Sequence, residues 1–537
     1  MSILGTLSTF SSRRKLLVAI ALSAFILTTL LFRDSTCPDG IECWNSSFWI
    51  TDIDPPMSPS HDLQKPIVQQ EETDNNVFGD VDPGLDGDDD SSVEEMEDSL
   101  PPAEDKAPIE EEDVQETPTS AETKYLTFLP HSGFHNQRIA AQNAFYLAHL
   151  LNRTLLLPPA MIGKVFGWRP YDTLLKWHLL HSKAGHDECA KFADLPADEQ
   201  KAVGVSTVCD TMNGYTYVRW DLLYNLSELG AKIPFIPRDY FTDEYLQTEF
   251  DISTQQTWYF KDTFQYDAMI FDTNVDPDPA SHDLEKYHSL LRVPDLAARP
   301  EKLIHLGSLF GSSRMVASTK ERRTLRGWIN SQFIFSNRQL IDTVDHVVET
   351  LGGPRSYVSL HARVGDGAFE RNRDKVLTQL WADFSKKFPP LPGPPAAQVT
   401  PAQCLDPATR PLAVQNGSLP FIFMATDDRN PRAAKYFSKF YEAYPCIFTL
   451  ADVLDYPSSP LAELKNPVDG LKMGKFMIPF LDGMVASRAS DFTTSIWSTF
   501  SMYIRFIHKD FTKKWEAQKK ASGRRDMRME AGMEGAD

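Results

Sequence analysis

The sequence predicts an α/β fold of two layered domains, at residues 123–345 and 346–510. Short apolar strands alternate there with stretches of helical periodicity, a pattern typical of layered α/β domains. Polar residues follow several of these strands directly, and open α/β sheets bind ligands at the carboxyl ends of their strands. A ligand-binding protein is therefore expected.

The first strand-helix-strand unit organises the chain. Residues 125–129 form an apolar run, apolar side chains recur at helical spacing over 139–151, and Thr154–Leu157 again reads as a strand. The loop at 131–138 places Gly133 where the backbone approaches a ligand closely. The helix start is predicted to aim its amides at an anion, together with Asn136, Gln137 and Arg138.

Later strands repeat this organisation. The first domain continues to a strand at Leu303–Leu306 and a helix from about Ser318, and its boundary is predicted between residues 337 and 350. Strands of the second domain are predicted at 357–360, 421–425, 447–450 and 491–494, with a final helix at 499–507. The proline-rich stretch at 388–401 is predicted to be an exposed insertion.

The N-terminal region predicts a type II membrane anchor. A charge-free, mainly apolar run at 16–32 follows Arg13, Arg14 and Lys15, which favours a cytosolic segment at 1–15. The alternative is a cleaved signal peptide, although the run is longer than a typical one. Both readings place the remaining chain in the lumen or outside the cell, and we expect a Golgi or endoplasmic reticulum membrane protein with its catalytic part in the lumen.

Most of the net charge of the chain lies outside the two predicted domains. The net charge of -20 is concentrated in an acidic block at 88–113, within a predicted disordered stem at 33–122. This balance argues against a nucleic-acid partner. A basic tail at 511–537 is also predicted to be disordered.

The six cysteines suit an oxidising compartment. The most local of about 15 connectivities pairs Cys37 with Cys43, Cys189 with Cys209, and Cys404 with Cys446. Glycosylation sequons occur at Asn45, Asn225 and Asn416. A fourth, at Asn152, lies between a helix and a strand, where burial would exclude a glycan.

A histidine-arginine pair follows the first strand of the second domain. His361 and Arg363 precede Gly365 and Asp366. A guanidinium holds two phosphate oxygens in a planar fork and stays charged, which suits a diphosphate leaving group. The alternative is a structural ion pair between Arg363 and Asp366.

Two further segments carry polar groups at strand ends. Ser498 to Ser501 open a helix, which predicts either a second phosphate cradle or an ordinary helix cap. Asp427 and Asp428 predict either contacts to a nucleobase or ribose, or the cap of the next helix. Adjacent acids on a strand face opposite ways, which disfavours a metal site.

The histidines of the first loop are weaker candidates. His131 and His135 flank Gly133 and titrate near neutral pH, although such a histidine is more often a hydrogen-bonded structural residue. The sequence has no cysteine spacing of a zinc site, no phosphate-binding Walker loop and no Ser-His-Asp signature. No metal site is predicted.

Taken together and in order, these segments resemble the GDP-fucose protein O-fucosyltransferase superfamily. The resemblance rests on segments 133–138 and 151–154, on the residues around His361 and Arg363, and on segments 425–428, 487–489 and 498–501. It implies a GT-B architecture, in which two Rossmann-like domains face a central cleft, and inverting transfer of fucose from GDP-fucose without an obligatory metal or other cofactor.

The resemblance also implies roles for individual residues. Arg363 would hold the diphosphate and offset the charge that develops on GDP, and Asn136 would lie beside the transferred sugar. The remaining nucleotide-sugar contacts would come from Gly133, His361, Asp427, Ser498, Thr499 and Phe500. Asp366 would shape the Arg363 loop. Because residues 131–138 contain no acid, the acceptor base is either His135 or the leaving phosphate itself.

The function expected is that of a lumenal glycosyltransferase acting on a protein or glycan hydroxyl. Two alternatives stay open. One is a related enzyme using GDP-mannose or a rhamnosyl nucleotide, and the other is a non-catalytic sugar- or protein-binding relative. The sequence does not identify the acceptor, because irregular aromatic loops of the first domain would read it.

Overall fold

The computed structural model describes residues 123–182, 213–273, 284, 286–365, 367–392, 399–496 and 498–533. The predicted cytosolic segment, membrane anchor and acidic stem lie outside these residues. Among the helices that are described, none combines the length and the apolar character needed to cross a bilayer.

The strands of the described chain are short. They are β1 (Tyr125–Thr127), β2 (Thr154–Leu157), β3 (Ala160–Gly163), β4 (Tyr215–Val218), β5 (Phe235–Pro237), β6 (Thr257–Phe260), β7 (Ala268–Phe271), β8 (Ser289–Arg292), β9 (Leu303–Leu306), β10 (Val358–Ala362), β11 (Ile422–Thr426), β12 (Ile447–Phe448) and β13 (Phe492–Thr494).

The α-helices connect and cover these strands. They are α1 (Phe134–Leu151), α2 (Tyr171–Leu180), α3 (Trp220–Leu223), α4 (Ser227–Lys232), α5 (Asp243–Phe250), α6 (Val293–Ala297), α7 (Lys320–Ser331), α8 (Arg338–Thr350), α9 (Gly367–Arg371), α10 (Arg373–Lys387), α11 (Pro401–Leu405), α12 (Leu412–Gln415), α13 (Ser438–Ala443), α14 (Leu450–Val453), α15 (Ile478–Ser487) and α16 (Thr499–Met533). Five short 3₁₀ turns lie at Thr254–Gln256, Lys435–Phe437, Tyr456–Ser458, Pro460–Glu463 and Gly474–Met477.

Two parallel sheets form the framework. The first has the strand order β5-β2-β1-β9-β6, and the second has the order β12-β11-β10-β13. All neighbouring strands in both sheets are parallel. The apolar residues of the inner strands β9, β10 and β11 are buried on both faces, as is typical of parallel strands. The predicted α/β fold is confirmed, and the strands of its two main sheets are parallel.

The register of the second sheet brings its strand ends together. His361 in β10 pairs with Ala425 in β11 on one side and with Thr494 in β13 on the other. The loops that follow these three strands therefore leave the sheet at the same edge. The Arg363, Asp427 and Ser498 segments follow them.

One continuous apolar core joins the two sheets. It contains Leu126 of β1, Phe423 of β11 and the aromatic residues between them. The ring of Phe134, at the start of α1, lies 4.4 Å from the ring of Phe480 in α15. The N-terminus of α1 is thereby packed onto the second sheet's helices, which fixes the relative position of the loops carrying the candidate site.

Helix α8 lies across the predicted domain boundary at 345/346. The Asn337 side chain caps it by accepting a hydrogen bond from the amide of Leu340 at 3.1 Å. Its buried apolar side chains recur at helical spacing: Leu340, Val344, Val347 and Val348. The boundary residues thus form a packed helix, and all described residues belong to one compact unit.

The C-terminal helix is longer than predicted. Helix α16 continues to Met533, whereas the sequence predicts an end at Ile507 and a disordered tail from 511. No proline follows Ile507, and Lys514 pairs with Asp510 one turn away at 2.8 Å. The basic composition of this segment therefore does not distinguish a disordered tail from a solvent-exposed helix, because it is typical of both.

Candidate active site at the meeting point of two helix starts

The starts of helices α1 and α16 meet. The Thr499 hydroxyl donates a hydrogen bond to the side-chain oxygen of Asn136 at 3.0 Å, across 363 positions of sequence. This contact orients the Asn136 amide, so that its nitrogen points away from Thr499. That nitrogen has no hydrogen-bond partner among the described residues, and its two N–H donors are available to a ligand.

Arg363 follows β10 and is held in a fixed direction. Its backbone amide donates to the Ser495 hydroxyl at 2.9 Å, and the same hydroxyl donates to the carbonyl of His361 at 2.8 Å. The Arg363 Nε lies 3.1 Å from the Asp427 carboxylate. The guanidinium is 24% exposed, so it is partly desolvated and still reachable by an anion.

Asp427 holds the Arg363 loop. Its carboxylate accepts hydrogen bonds from the amides of Val364 at 2.7 Å and Gly365 at 3.1 Å, in addition to the Arg363 Nε. A Cβ on Gly365 would lie 3.0 Å from the Asp427 carbonyl oxygen, which explains the glycine. Asp427 therefore shapes the Arg363 loop, which is the role expected of Asp366, a residue outside the described ones. The nucleoside contact expected of Asp427 stays a prediction.

His361 lies beneath the site. It is 1% exposed, and its Nδ1 hydrogen-bonds the Ser501 hydroxyl at 2.6 Å. Burial, assisted by the charge of Arg363, lowers the pKa of His361 to about 3, so the ring is neutral at pH 7. Its edge contacts the ring of Phe500 at 4.9 Å between centroids.

The Ser498 hydroxyl is a helix cap. Its oxygen accepts a hydrogen bond from the Ser501 amide at 3.2 Å, as an ordinary helix cap does. The O–H of Ser498 can still donate, so its phosphate contact stays a prediction. The amides of Thr499 and Phe500 begin α16, and the first amides of a helix have no partner within it. The positive end of a helix therefore lies beside Asn136.

The first loop differs from its prediction. The left-handed residue is Ser132, at φ 63°. Gly133 has φ −56°, a torsion that any residue can adopt, so this torsion does not explain the glycine. The Gln137 side chain binds the backbone of Ser132 and Met161, at 2.8 Å in each case. Arg138 is 8% exposed and covers the ring of Tyr503 at 4.4 Å. Gln137 and Arg138 are thus scaffold, and neither is aimed at an anion.

His135 is a hydrogen-bond donor. Its Nδ1 accepts a long hydrogen bond from the Arg138 Nε at 3.4 Å, which places the ring proton on Nε2. The Nε2 atom is buried and has no partner within the described part of the chain. Burial, followed by the charges of Arg138, Arg363 and His361, keeps the pKa of His135 well below its usual range. The expected base role is therefore disfavoured, because the accepting nitrogen is already occupied.

Sequence reasoning missed Asp482. This residue of α15 is 8% exposed, and one of its oxygens accepts the amide of Thr426, at the end of β11, at 3.0 Å. The other oxygen is buried without a partner among the described residues. Burial and the neighbouring Asp427 raise the pKa of Asp482 well above its usual range. An acid within an apolar helical run was the available sequence signal.

Phe500 forms one wall of the site. Its ring lies 4.9 Å from that of His135, and a Cβ on Gly483 would approach the Phe500 ring to 2.9 Å. Gly483 is therefore the residue that lets this ring pack against α15. The partly buried aromatic face is available to stack on a planar ligand.

The predicted disulfide and glycosylation sites lie partly within the described residues. Cys404 and Cys446 form a disulfide, whereas Cys189 and Cys209 lie outside the described residues, as do Cys37, Cys43 and Asn45. Asn225 and Asn416 are exposed. Asn152 is exposed too, at a left-handed position that ends α1, so burial does not exclude it.

Across the described residues, no group of three or more histidine, cysteine, aspartate or glutamate side chains is arranged to hold a metal ion.

The stability of the fold is expected to decrease in mild acid. Burial lowers the pKa most in five deeply buried histidines, which are neutral in the folded protein: His131, His135, His178, His305 and His361. In the unfolded chain they take up protons below about pH 6.5, which favours unfolding. Asp262 and Asp482 act oppositely, because burial raises their pKa values, that of Asp262 to about 7. The histidines outnumber them.

The melting temperature should therefore fall by several degrees when the pH is lowered from about 7.5 to about 5. Differential scanning fluorimetry in a constant-ionic-strength buffer series measures it. A melting temperature that is constant or rises over this interval contradicts the proposed protonation states.

Comparisons with known proteins agree with the motif resemblance. No protein-family profile matches the chain. Over 38 residues the chain is 50% identical to O-fucosyltransferase 30 of Arabidopsis thaliana, a match that covers 7% of this chain and 8% of that relative. The similarity to O-fucosyltransferases predicted from the motifs is confirmed over this stretch.

Structures of POFUT1 also align with the chain. The apo form aligns with a TM-score of 0.32 at 10% identity, covering 74% of this chain and 98% of POFUT1. The complex with GDP gives 0.33 at 12% identity, over 72% and 94% of the two chains. The complex with GDP-fucose gives 0.32 at 12% identity, over 72% and 95%.

Proposed function

We propose that this chain is an inverting glycosyltransferase that moves fucose from GDP-fucose to a hydroxyl of a protein or glycan. The hydrogen bond between Asn136 and Thr499 carries the proposal, because it joins two segments expected to face the same donor. Arg363 follows β10 of the second sheet, and Thr499 comes shortly after β13, which pairs with β10. The charge of Arg363 also contributes to the lowered pKa of His135. The short match to an O-fucosyltransferase supports the same class.

Arg363 is proposed to hold the diphosphate. Its Nε is committed to Asp427, and Asp427 is itself fixed by two backbone amides, so the guanidinium is oriented before substrate arrives. As the bond between the sugar and the phosphate breaks, negative charge develops on GDP. A preoriented cation in a partly desolvated site stabilises that charge more in the transition state than in the ground state.

Two neutral donors are proposed to act beside the cation. The buried Nε2–H of His135 and the side-chain amide N–H groups of Asn136 can each donate to an oxygen of the donor sugar or its leaving phosphate. Because burial keeps His135 neutral, this donation does not depend on pH near neutrality. The first amides of α16 add positive potential at the same place.

Asp482 is proposed to accept hydrogen bonds from the nucleobase. A buried carboxyl oxygen without a partner is costly unless a ligand supplies donors, and guanine presents two N–H groups on one edge. The ring of Phe500 lies against the neighbouring Gly483 and could stack on the base.

Substituting Asp482 with alanine is therefore expected to weaken GDP binding by about 10-fold, the loss typical of one hydrogen bond. Isothermal titration calorimetry with GDP measures this loss, and inorganic pyrophosphate, which lacks the base, serves as the control ligand. Equal GDP affinity in the two proteins would remove Asp482 from the site.

The location in the secretory pathway is part of the proposal. The apolar run at 16–32 supports a type II anchor with the catalytic part in the lumen of the Golgi or endoplasmic reticulum. The disulfide between Cys404 and Cys446 supports an oxidising compartment. Fluorescent fusion with protease protection tests both points, and a protease-accessible C-terminus in sealed microsomes contradicts them.

A panel of nucleotide sugars tests the donor. The purified chain is heated with GDP, GDP-fucose, GDP-mannose and a rhamnosyl nucleotide, and GDP-fucose is expected to raise the melting temperature most. A larger shift with another sugar nucleotide assigns that donor instead. If GDP itself causes no shift, the proposed active site is wrong.

A further inference from the structure

Ser132 adopts a backbone conformation that serine rarely takes. Its φ is 63°, in the left-handed region that glycine adopts without strain and serine does not. The residue is half-buried and immediately precedes the first turn of α1, where the amide of Asn136 donates to the carbonyl of Gly133 at 2.9 Å. Strained residues that persist in this way concentrate at functional sites.

The Ser132 hydroxyl is hydrogen-bonded to a buried imidazole. Its Oγ lies 2.8 Å from the Nδ1 of His131, which is 4% exposed. The other ring nitrogen, Nε2, lies 2.7 Å from the hydroxyl of Ser308, on the loop that follows β9. Both nitrogens are therefore held, and the ring cannot turn away from Ser132.

Ser308 is itself fixed in position. Its hydroxyl oxygen accepts the amide of Phe310 at 3.2 Å, and its own backbone amide hydrogen-bonds the carboxylate of Asp262. The result is a hydroxyl on a half-buried residue, an imidazole within hydrogen-bond reach and a third group that orients the imidazole. This is the arrangement that activates a hydroxyl for proton transfer.

We propose that Ser132 and His131 remove the proton of the acceptor hydroxyl, an inference that rests on the proposed function. The acceptor oxygen forms a bond to the anomeric carbon, and the bond from that carbon to the phosphate oxygen breaks with its electron pair leaving on GDP. The acceptor proton passes to Ser132 Oγ, and the proton of Ser132 passes to His131 Nδ1. The Nε2–H of His131 donates to Ser308 during this step.

This relay supplies a base to a loop that contains no acid. Burial and the charge of Arg314 lower the pKa of His131 to about 3, so the imidazole is a weak base. A weak base suffices because the acceptor hydroxyl becomes strongly acidic as its oxygen bonds to the sugar. After GDP and product leave, the proton returns through Ser132 to solvent. His135, whose accepting nitrogen is bound to Arg138, is not needed as a base.

Ser132→Gly is the decisive variant, because it removes the hydroxyl at a position where glycine suits the backbone. Asp251→Gly is the matched control: Asp251 is another non-glycine residue at positive φ, 52°, and is exposed at the end of α5. Both full-length variants are expected to melt near the parent. Ser132→Gly should lower kcat for transfer by about 10²-fold, with the affinity for GDP unchanged.

A second variant separates the loss of the hydroxyl from any effect of glycine on the backbone. Ser132→Asn keeps a polar side chain that tolerates this torsion but cannot pass on a proton, and it should show the same loss of kcat. If either variant folds and turns over like Asp251→Gly, the hydroxyl is only structural and the relay is wrong. If the parent itself transfers no fucose, the proposed function fails first and the relay fails with it.

Discussion

Replacing Arg363 with alanine is expected to lower kcat/KM for GDP-fucose by about 10³-fold and to leave the fold intact. The side chain is the cation that follows β10 at the carboxyl edge of the second sheet, and Asp427 fixes its direction. Lysine should not restore activity, because a point charge cannot reproduce both the hydrogen bond to Asp427 and a planar grip on phosphate oxygens. Steady-state GDP release measures the effect.

Arg432 offers the matched control. It forms a comparable pair with Asp452, at 2.8 Å, and contacts none of the proposed site residues in the described chain. Arg432→Ala should therefore reduce the melting temperature and leave kcat/KM near that of the parent. Equal activity in Arg363→Ala and Arg432→Ala would show that Arg363 is a structural arginine.

Replacing Asn136 with alanine is expected to lower kcat by about 10²-fold while GDP affinity stays close to that of the parent. The asparagine is proposed to touch the transferring sugar, which GDP lacks. Thr499→Val, which removes the hydroxyl that orients the amide at 3.0 Å, should cause a smaller loss of kcat. Transfer assays and calorimetry with GDP separate the two quantities.

Asn143 is the control for this variant. It lies two turns further along α1, is buried, and uses its amide to bind the carbonyls of Leu309 and Gly311, at 2.9 Å each. Asn143→Ala should lower the melting temperature without a specific loss of kcat. If Asn136→Ala instead behaves like Asn143→Ala, the first loop is scaffold and the sugar lies elsewhere.

Much of the framework follows from local sequence patterns. The strands Thr154–Leu157 and Leu303–Leu306 lie where the apolar runs predict them. A buried parallel strand needs several consecutive apolar residues, and turns that flank it need polar ones, so a few adjacent residues define its ends. The segments of the candidate site were found for the same reason, since each begins where a strand ends.

The partners of the site residues could not be predicted in this way. Asp427 and Arg363 are joined by the pairing of β10 with β11, and Thr499 reaches Asn136 only through the packing of α1 against α16. Such contacts depend on three-dimensional packing between distant segments. Asp482 was missed because its surroundings are those of a core helix, and only the structure shows that one of its oxygens has no partner among the residues described.

The backbone conformation of the first loop could not be predicted from local residue preferences either. Glycine is the usual residue at a left-handed position, so the pattern directed attention to Gly133, whereas Ser132 takes the strained torsion. Hydrogen bonds to the neighbouring His131, from Gln137, and from the Ser132 amide to the carbonyl of Phe166 at 2.8 Å hold Ser132 there. Local propensity is overridden when the surrounding structure fixes one residue at several points.

The most direct test is the release of GDP from GDP-fucose by the purified chain, measured with and without a secretory-pathway extract as acceptor. We predict GDP release that the extract stimulates, with fucose appearing in extract macromolecules, and no activity above background in Arg363→Ala. Absence of release and of GDP binding in the parent chain, or full activity in Arg363→Ala, would contradict a GDP-fucose site at the meeting point of α1 and α16.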